Sequence, residues 1–164
     1  MGIMSNSDFI IKNATIDDAE TIYSFIYQLA EYEKLTEEVT TSAEEIKKTL
    51  FADNSHVKSI IGYYENNPVA FALYFFNYST FKGKTGLYLE DLFVLPKMRG
   101  KGFGKRLLVA LGKIAKKNNC ARFEWSVLDW NKPAIDFYKS IGAKPMDEWT
   151  LFRLTEKEIN DLIK

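Results

Sequence analysis

Cysteine and histidine are almost missing from this chain of 164 residues, with Cys120 and His56 as their single representatives. A lone thiol cannot close an internal disulfide, which fits a reducing compartment. One residue of each type also excludes a zinc centre built mainly from the two. Long apolar runs are lacking too, and none approaches the ~20 residues that span a bilayer. Net charge is zero while 46% of the residues are hydrophobic, so a disordered chain is excluded. The opening residues MGIMSNSDF hold none of the charged, apolar and small-residue regions of a secretory signal. The expectation is a soluble, cytoplasmic, metal-free protein with residues 1–7 as a flexible end. Residues 8–164 suit one domain, since domains run to roughly 100–200 residues.

Neutrality conceals an uneven distribution. Residues 97–117 contain eight basic side chains and no acidic one, which leaves 14 basic against 22 acidic residues elsewhere. Residues 31–45 hold six glutamates and one lysine, Lys34. Opposite blocks in one small domain point to one surface for an anion and another for a cation. The basic block is too short, and the chain too neutral, for nucleic acid to be expected as a partner.

Element signals alternate along the chain. Residues 8–14 read as a strand, and Thr15 with Asp17 and Asp18 opens a helix whose apolar positions 19, 22, 23, 26, 29 and 30 form one stripe. Thr41 and Glu44 have capping-box spacing for a second helix to about Phe51. Residues 57–65, 69–78 and 87–95 read as strands, with a turn at 66–68, and the last is apolar enough to be central. Pro96 stops it, and helical spacing resumes from Phe103 to about Lys117. A strand at 121–127, a helix opened by Asn131 and closed by Gly142, a strand at 149–154 and a helix at 155–163 complete the order. The expected fold is α/β, a central mixed sheet flanked by helices.

The segment LEDLFVLPKMRGKGFGKRLL (89–108) carries the chemistry. An apolar strand runs into a basic loop with glycines at 100, 102 and 104, and a helix follows. Unpaired amides at a helix start carry partial positive charge, and glycine lets an anion approach the backbone. A diphosphate is the natural guest. The spacing fails the P-loop pattern and the G-x-G-x-x-G dinucleotide fingerprint, although Glu124 lies about 20 residues downstream, where a nicotinamide site would want an acid. It fits Arg-x-x-Gly-x-Gly, met by Arg99, Gly102 and Gly104.

That loop, together with LAEYE (29–33), YLEDLFV (88–94), RGKGFG (99–104) and LDWNKPAIDFY (128–138), resembles the GNAT family of acetyl-CoA-dependent N-acetyltransferases. The similarity is to its diamine (spermidine/spermine) and thialysine branch. The resemblance implies an acyl-CoA N-acyltransferase fold, acetyl-CoA as co-substrate and a homodimer. It implies that Leu92, Phe93 and Val94 hold the pantetheine arm by their backbone. Arg99, Gly100, Lys101, Gly102, Phe103, Gly104 and Lys105 hold the pyrophosphate, and Asn131, Lys132, Pro133 and Ala134 line the other side of the coenzyme.

An amine with a pKa near ~10.4 is almost wholly protonated at neutral pH, so the reaction needs a proton acceptor, and the leaving thiolate benefits from a donor. The resemblance assigns these tasks to Glu90, acting through water, and Tyr138. Glu90 and Asp91 are neighbours on a strand, so alternation lets only one enter a given cleft, and Glu90 is preferred here. A backbone N–H near Val94 would meet the charge on the carbonyl oxygen. Tyr32 and Glu33 match amine-contacting positions, with Glu124, Trp125, Ser126 and Glu148 as further candidates. Polyamine enzymes tend to carry Asp and Trp where this chain has residues 78–83 with Lys82, which disfavours a long polycation. The expected activity is direct acetyl transfer to a small cationic amine, lysine-like or a diamine. Acetylation of a protein N-terminus or lysine, and non-catalytic coenzyme sensing, are the alternatives.

Overall fold

A computed structural model describes residues 8–164, so the expected flexible end at 1–7 lies outside the described residues. The chain clusters into two compact units, one ending at Ser126 and one spanning Val127–Lys164. The first contains a five-stranded sheet: β1 (Phe9–Asn13), β2 (Val57–Tyr64), β3 (Asn67–Ser79), β4 (Lys84–Val94) and β5 (Arg122–Trp125). Spatial order follows chain order, antiparallel until β4 and β5, which are parallel. The mixed sheet expected from the sequence is therefore present. β4 is interior as its apolar run implies, and it begins three residues earlier than the sequence suggests.

Helices cover both faces. On one side lie α1 (Ala19–Glu33) and α2 (Ala43–Leu50), whose Ile22, Phe25, Ile46 and Leu50 form a core with Ile61, Phe71 and Phe93. Phe25 stacks on Phe71 with ring centroids 5.5 Å apart. The Tyr63 hydroxyl donates to Asp18 at 3.0 Å and ties the start of α1 to β2. The other side belongs to α3 (Phe103–Lys117), with bounds as the periodicity predicts. Leu107 and Leu111 on it, and Leu87 and Leu89 on β4, are fully buried. Phe103 stacks on Phe9 at 4.1 Å, and Arg106 donates to the Phe9 carbonyl at 2.6 Å, so two contacts lock β1 to the first turns of α3.

Four local readings are corrected. The cap of α2 is Ser42, whose hydroxyl accepts from the Glu45 amide at 3.2 Å, one residue after the expected Thr41. The β2–β3 turn is carried by Glu65 and Asn66, at φ of 50° and 64°, and not by residues 66–68. Two consecutive positive φ values match the twist of a tight hairpin. Pro68 sits inside β3, where a pairing irregularity tolerates a residue without an N–H. Residues 149–154 form no strand. Their side chains Trp149, Leu151, Phe152 and Leu154 are exposed, and an apolar segment without a ladder partner does not make a strand. The second unit holds α4 (Lys132–Ser140), capped by the Asn131 side chain, and α5 (Glu156–Leu162).

The β1–α3 lock fixes where α3 begins, and Gly62 makes room for it. A Cβ there would run into Cζ and Cε2 of Phe9. Gly62→Ala should therefore cost about 1–3 kcal/mol in denaturant unfolding, and much less in a Phe9→Leu background.

Candidate active site

The site is organised by an extra residue in β4. Leu73 of β3 pairs with Asp91 while its neighbour Tyr74 pairs with Leu89, so Glu90 has no opposite number and forms a bulge. Paired residues share a face. Leu73 belongs with Phe71 on the α1 face, and Tyr74 belongs with Ala72 on the α3 face. Asp91 consequently faces α1 although Leu89, two residues back, faces α3. Beyond the bulge Phe93 packs towards Phe25, with centroids 6.0 Å apart, and Leu92 and Val94 turn to α3.

The same strand end has an open edge. β5 pairs with β4 only as far as Leu89. The Leu95 amide donates to Val69 across the sheet at 2.9 Å, so alternation sends the N–H and C=O of Val94 and Leu92 away from β3, towards the side that β5 no longer covers. Of the three sequence-predicted pantetheine residues, Leu92 and Val94 thus present main-chain groups along one free edge, while the main chain of Phe93 faces β3.

That edge leads to the basic loop. Gly100 and Gly102 have φ of +78° and +79°, a conformation only glycine adopts easily, and Gly102 is the N-cap of α3. Helical bonding begins with the Arg106 amide to the Gly102 carbonyl at 3.0 Å, so Phe103, Gly104 and Lys105 have amides without a carbonyl four residues back in the helix. Neither a side-chain cap nor a first-turn acid neutralises this end. A Cβ on Gly104 would make ordinary contacts of 3.8 Å with Leu92 and Val94, so the protein's own packing does not require glycine there. A guest approaching that backbone does. Lys101 and Lys105 flank the point, with the Lys101 ammonium 5.3 Å from the Tyr64 ring. These features fit a diphosphate.

Negative groups gather at the bulge, on the opposite face of β4. Helix α1 stops at Lys34, held left-handed at φ 60°, so Tyr32 and Glu33 occupy its last turn, which holds no basic residue of its own at the negative helix end. Burial pushes the Glu33 carboxyl up. Burial, then the charges of Glu90 and Glu33, push Asp91 up to about 6. Glu33 and Asp91 therefore sense one another across the α1 face, and Glu90 lies exposed on the bulge beside them. Alternation admits one of the Glu90–Asp91 pair to a cleft and the resemblance prefers Glu90, whereas the acid that shares a face with Glu33 is Asp91. The sequence reading missed it because a bulge leaves no mark in a period-two pattern.

The remaining candidates divide. Glu124 is held by Arg122 at 2.9 Å and by the Asn77 amide at 3.3 Å, so its charge is already answered. Ser126 shares a 2.8 Å hydrogen bond with the Tyr88 hydroxyl, and Trp125 stands edge-on to Phe123 with centroids 5.0 Å apart. Asn131, Lys132, Pro133, Ala134 and Tyr138 lie on α4 or at its cap, and Glu148 on an exposed turn, all within the second unit.

A family model described as Acetyltransferase (GNAT) family matches residues 17–143. A thialysine N-epsilon-acetyltransferase of Sus scrofa is 34% identical, covering 93% of this chain and 96% of that protein. A spermidine/spermine N(1)-acetyltransferase-like protein 1 of Homo sapiens is 30% identical over 94% of this chain and 24% of its own length. Among solved structures, an integron cassette protein from the mobile metagenome of V. cholerae superposes with a TM-score of 0.82 at 28% identity, covering 97% of this chain and 99% of that one.

Ionised Asp91 is a burden on the fold. Its folded value exceeds the ordinary 3.8, so the stability it lends is complete below that value and is lost as pH rises through about 6. Two pKa units correspond to at most about 3 kcal/mol. Asp91→Asn should raise the thermal midpoint at pH 7.5, and the gain should vanish near pH 4. A gain independent of pH would contradict the assignment.

Proposed function

The chain belongs to the GNAT family of acetyltransferases, acetyl-CoA-dependent enzymes that act on amines, and from this premise we propose direct transfer of acetyl to the primary amine of a small cationic metabolite. The substrate class is a thialysine- or lysine-like amine or a diamine, and transfer occurs in a ternary complex. The observation that carries the reading is the carboxylate group of Glu33, Glu90 and Asp91 at one end of a strand whose open edge leads to an anion cradle. A cation and a diphosphate thioester are the two guests such charges suit.

Acetyl-CoA, when bound, supplies the thioester. Amides at the start of α3 would hold its diphosphate, and Leu92 and Val94 its pantetheine. Glu33 and Asp91 draw in the ammonium and are relieved of their mutual repulsion as it arrives. Glu90, exposed beside them, takes the proton through water. Amine nitrogen then attacks the carbonyl carbon while the Val94 N–H meets the growing charge on oxygen. The carbon–sulfur bond breaks, the Tyr138 phenol gives the thiolate its proton, and the surplus proton on the new amide nitrogen returns to the Tyr138 oxygen. The role of Tyr138, and the coenzyme contacts of residues 131–134, rest on the resemblance of LDWNKPAIDFY. A homodimeric state, a cytoplasmic place and one acetyltransferase domain over 8–164 belong to the same proposal.

Lys82, in the β3–β4 turn, supports the choice of a short cation over a long one. An acetyl-CoA-consumption screen over thialysine, lysine, putrescine, spermidine and short peptides tests this directly. Thialysine or lysine should lead spermidine in kcat/KM, and a peptide in first place would replace the small-amine reading. Tyr138→Phe should lower kcat by ~100-fold with coenzyme affinity retained; unchanged turnover would remove the proton donor.

A further inference from the structure

Arg99 stands first in the Arg-x-x-Gly-x-Gly pattern, where its charge is expected to serve the diphosphate. Its guanidinium is engaged elsewhere. Nε donates to the Val94 carbonyl at 3.2 Å. The same group lies 4.4 Å from the centroid of Tyr32 and 5.8 Å from that of Phe93. One planar cation thus touches the open edge of β4, the buried ring beside it and the last turn of α1.

These partners belong to the two halves of the proposed reaction. Val94 is a main-chain group on the coenzyme side. Tyr32 precedes Glu33, the α1 carboxylate that senses Asp91. That turn ends on the left-handed Lys34, a strained cap for a residue with a side chain, and residues 34–35 return by the Lys34 and Leu35 amides to Glu31 and Ala30. Guanidinium can stack flat on a ring while its Nε donates in plane, whereas an ammonium has no plane to stack and meets both partners only as a point charge on a flexible stem. We infer that Arg99 is a positioning residue for the amine side, tying the last turn of α1 to the end of β4. Through Tyr32 it holds Glu33 against Asp91. The inference rests on the proposed amine site.

Arg99→Lys keeps the positive charge and removes the planar tie, and so separates positioning from attraction for phosphate. The amine KM should rise ~5-fold, with kcat and the acetyl-CoA KM within about twofold of native. Tyr32→Leu should do the same, and the double variant should be no worse than either single one. A larger rise in the acetyl-CoA KM than in the amine KM, or effects that multiply in the double variant, would overturn the inference. A readout free of turnover keeps this apart from the reaction itself. Amide hydrogen exchange at Lys34 and Leu35 should quicken ~5-fold in Arg99→Lys and stay native in Tyr32→Phe, which keeps the ring. Quickened exchange with no acetylation of any amine sinks the reaction and spares the tie; native exchange in Arg99→Lys sinks the tie.

Discussion

Everything at this site depends on β4 changing its parity in mid-strand. Leu87 and Leu89 must enter the α3 core, and Phe93 must enter the α1 core with Phe25 and Phe71. A regular strand cannot satisfy both, because 89, 91 and 93 would share one face. Asp91 would then be pressed into the apolar layer under α3, and Phe93 would lose its aromatic partners. The extra residue at Glu90 resolves the conflict. It turns Asp91 towards Glu33, and it coincides with the point where β5 stops pairing. Core packing and site geometry have a common origin in one unpaired residue.

Around this bulge the helix ends are complementary in sign. Helix α3 presents its positive start without an acid in its first turn, and α1 presents its negative finish with Glu31 and Glu33 and no base of its own in the last turn. Both arrangements run against what stability alone selects. An N-cap side chain and first-turn acids would steady α3 by about 1 kcal/mol, as Ser42 and its following glutamates do for α2. A raised Asp91 and a left-handed Lys34 burden the same region. Strain and unanswered charge gathered at one place mark a surface shaped for ligands.

Much of this fold was legible in the sequence. Bounds of α3 follow from Pro96, the glycines and an unbroken helical stripe, and all five strands appear where β-branched and aromatic residues cluster. The reading fails where a third partner decides. Residues 149–154 are apolar enough for a strand but have no ladder, and Ser42 takes the cap because its hydroxyl reaches the Glu45 amide. For the site, the glycine pattern located the anion cradle, whose helix start meets its physical requirements. It could not show that two arginines of the basic block are bonded to main-chain carbonyls, Arg106 to that of Phe9 and Arg99 to that of Val94. Nor could it show that Arg122 neutralises Glu124, because that pairing needs β5 beside β4 and Asn77 across the sheet.

The charge balance of the α1 face bears on the size of the guest. Of the acids expected there from the sequence, Glu124 already has its countercharge. Glu33, Glu90 and Asp91 have no ion pair among the described residues. At neutral pH this group repels itself, and that repulsion adds to the burial that raises Asp91. One ammonium placed between Glu33 and Asp91 relieves most of it, since interaction falls with distance and is screened within about 8–10 Å in physiological salt. A second ammonium several ångströms farther along a polyamine would need a carboxylate of its own. On the side of Glu124 it meets an acid already paired with Arg122. At the hairpin turn it meets Lys82. The arrangement therefore rewards the first positive charge of a substrate much more than the second, and a short amine gains nearly all that the site can give.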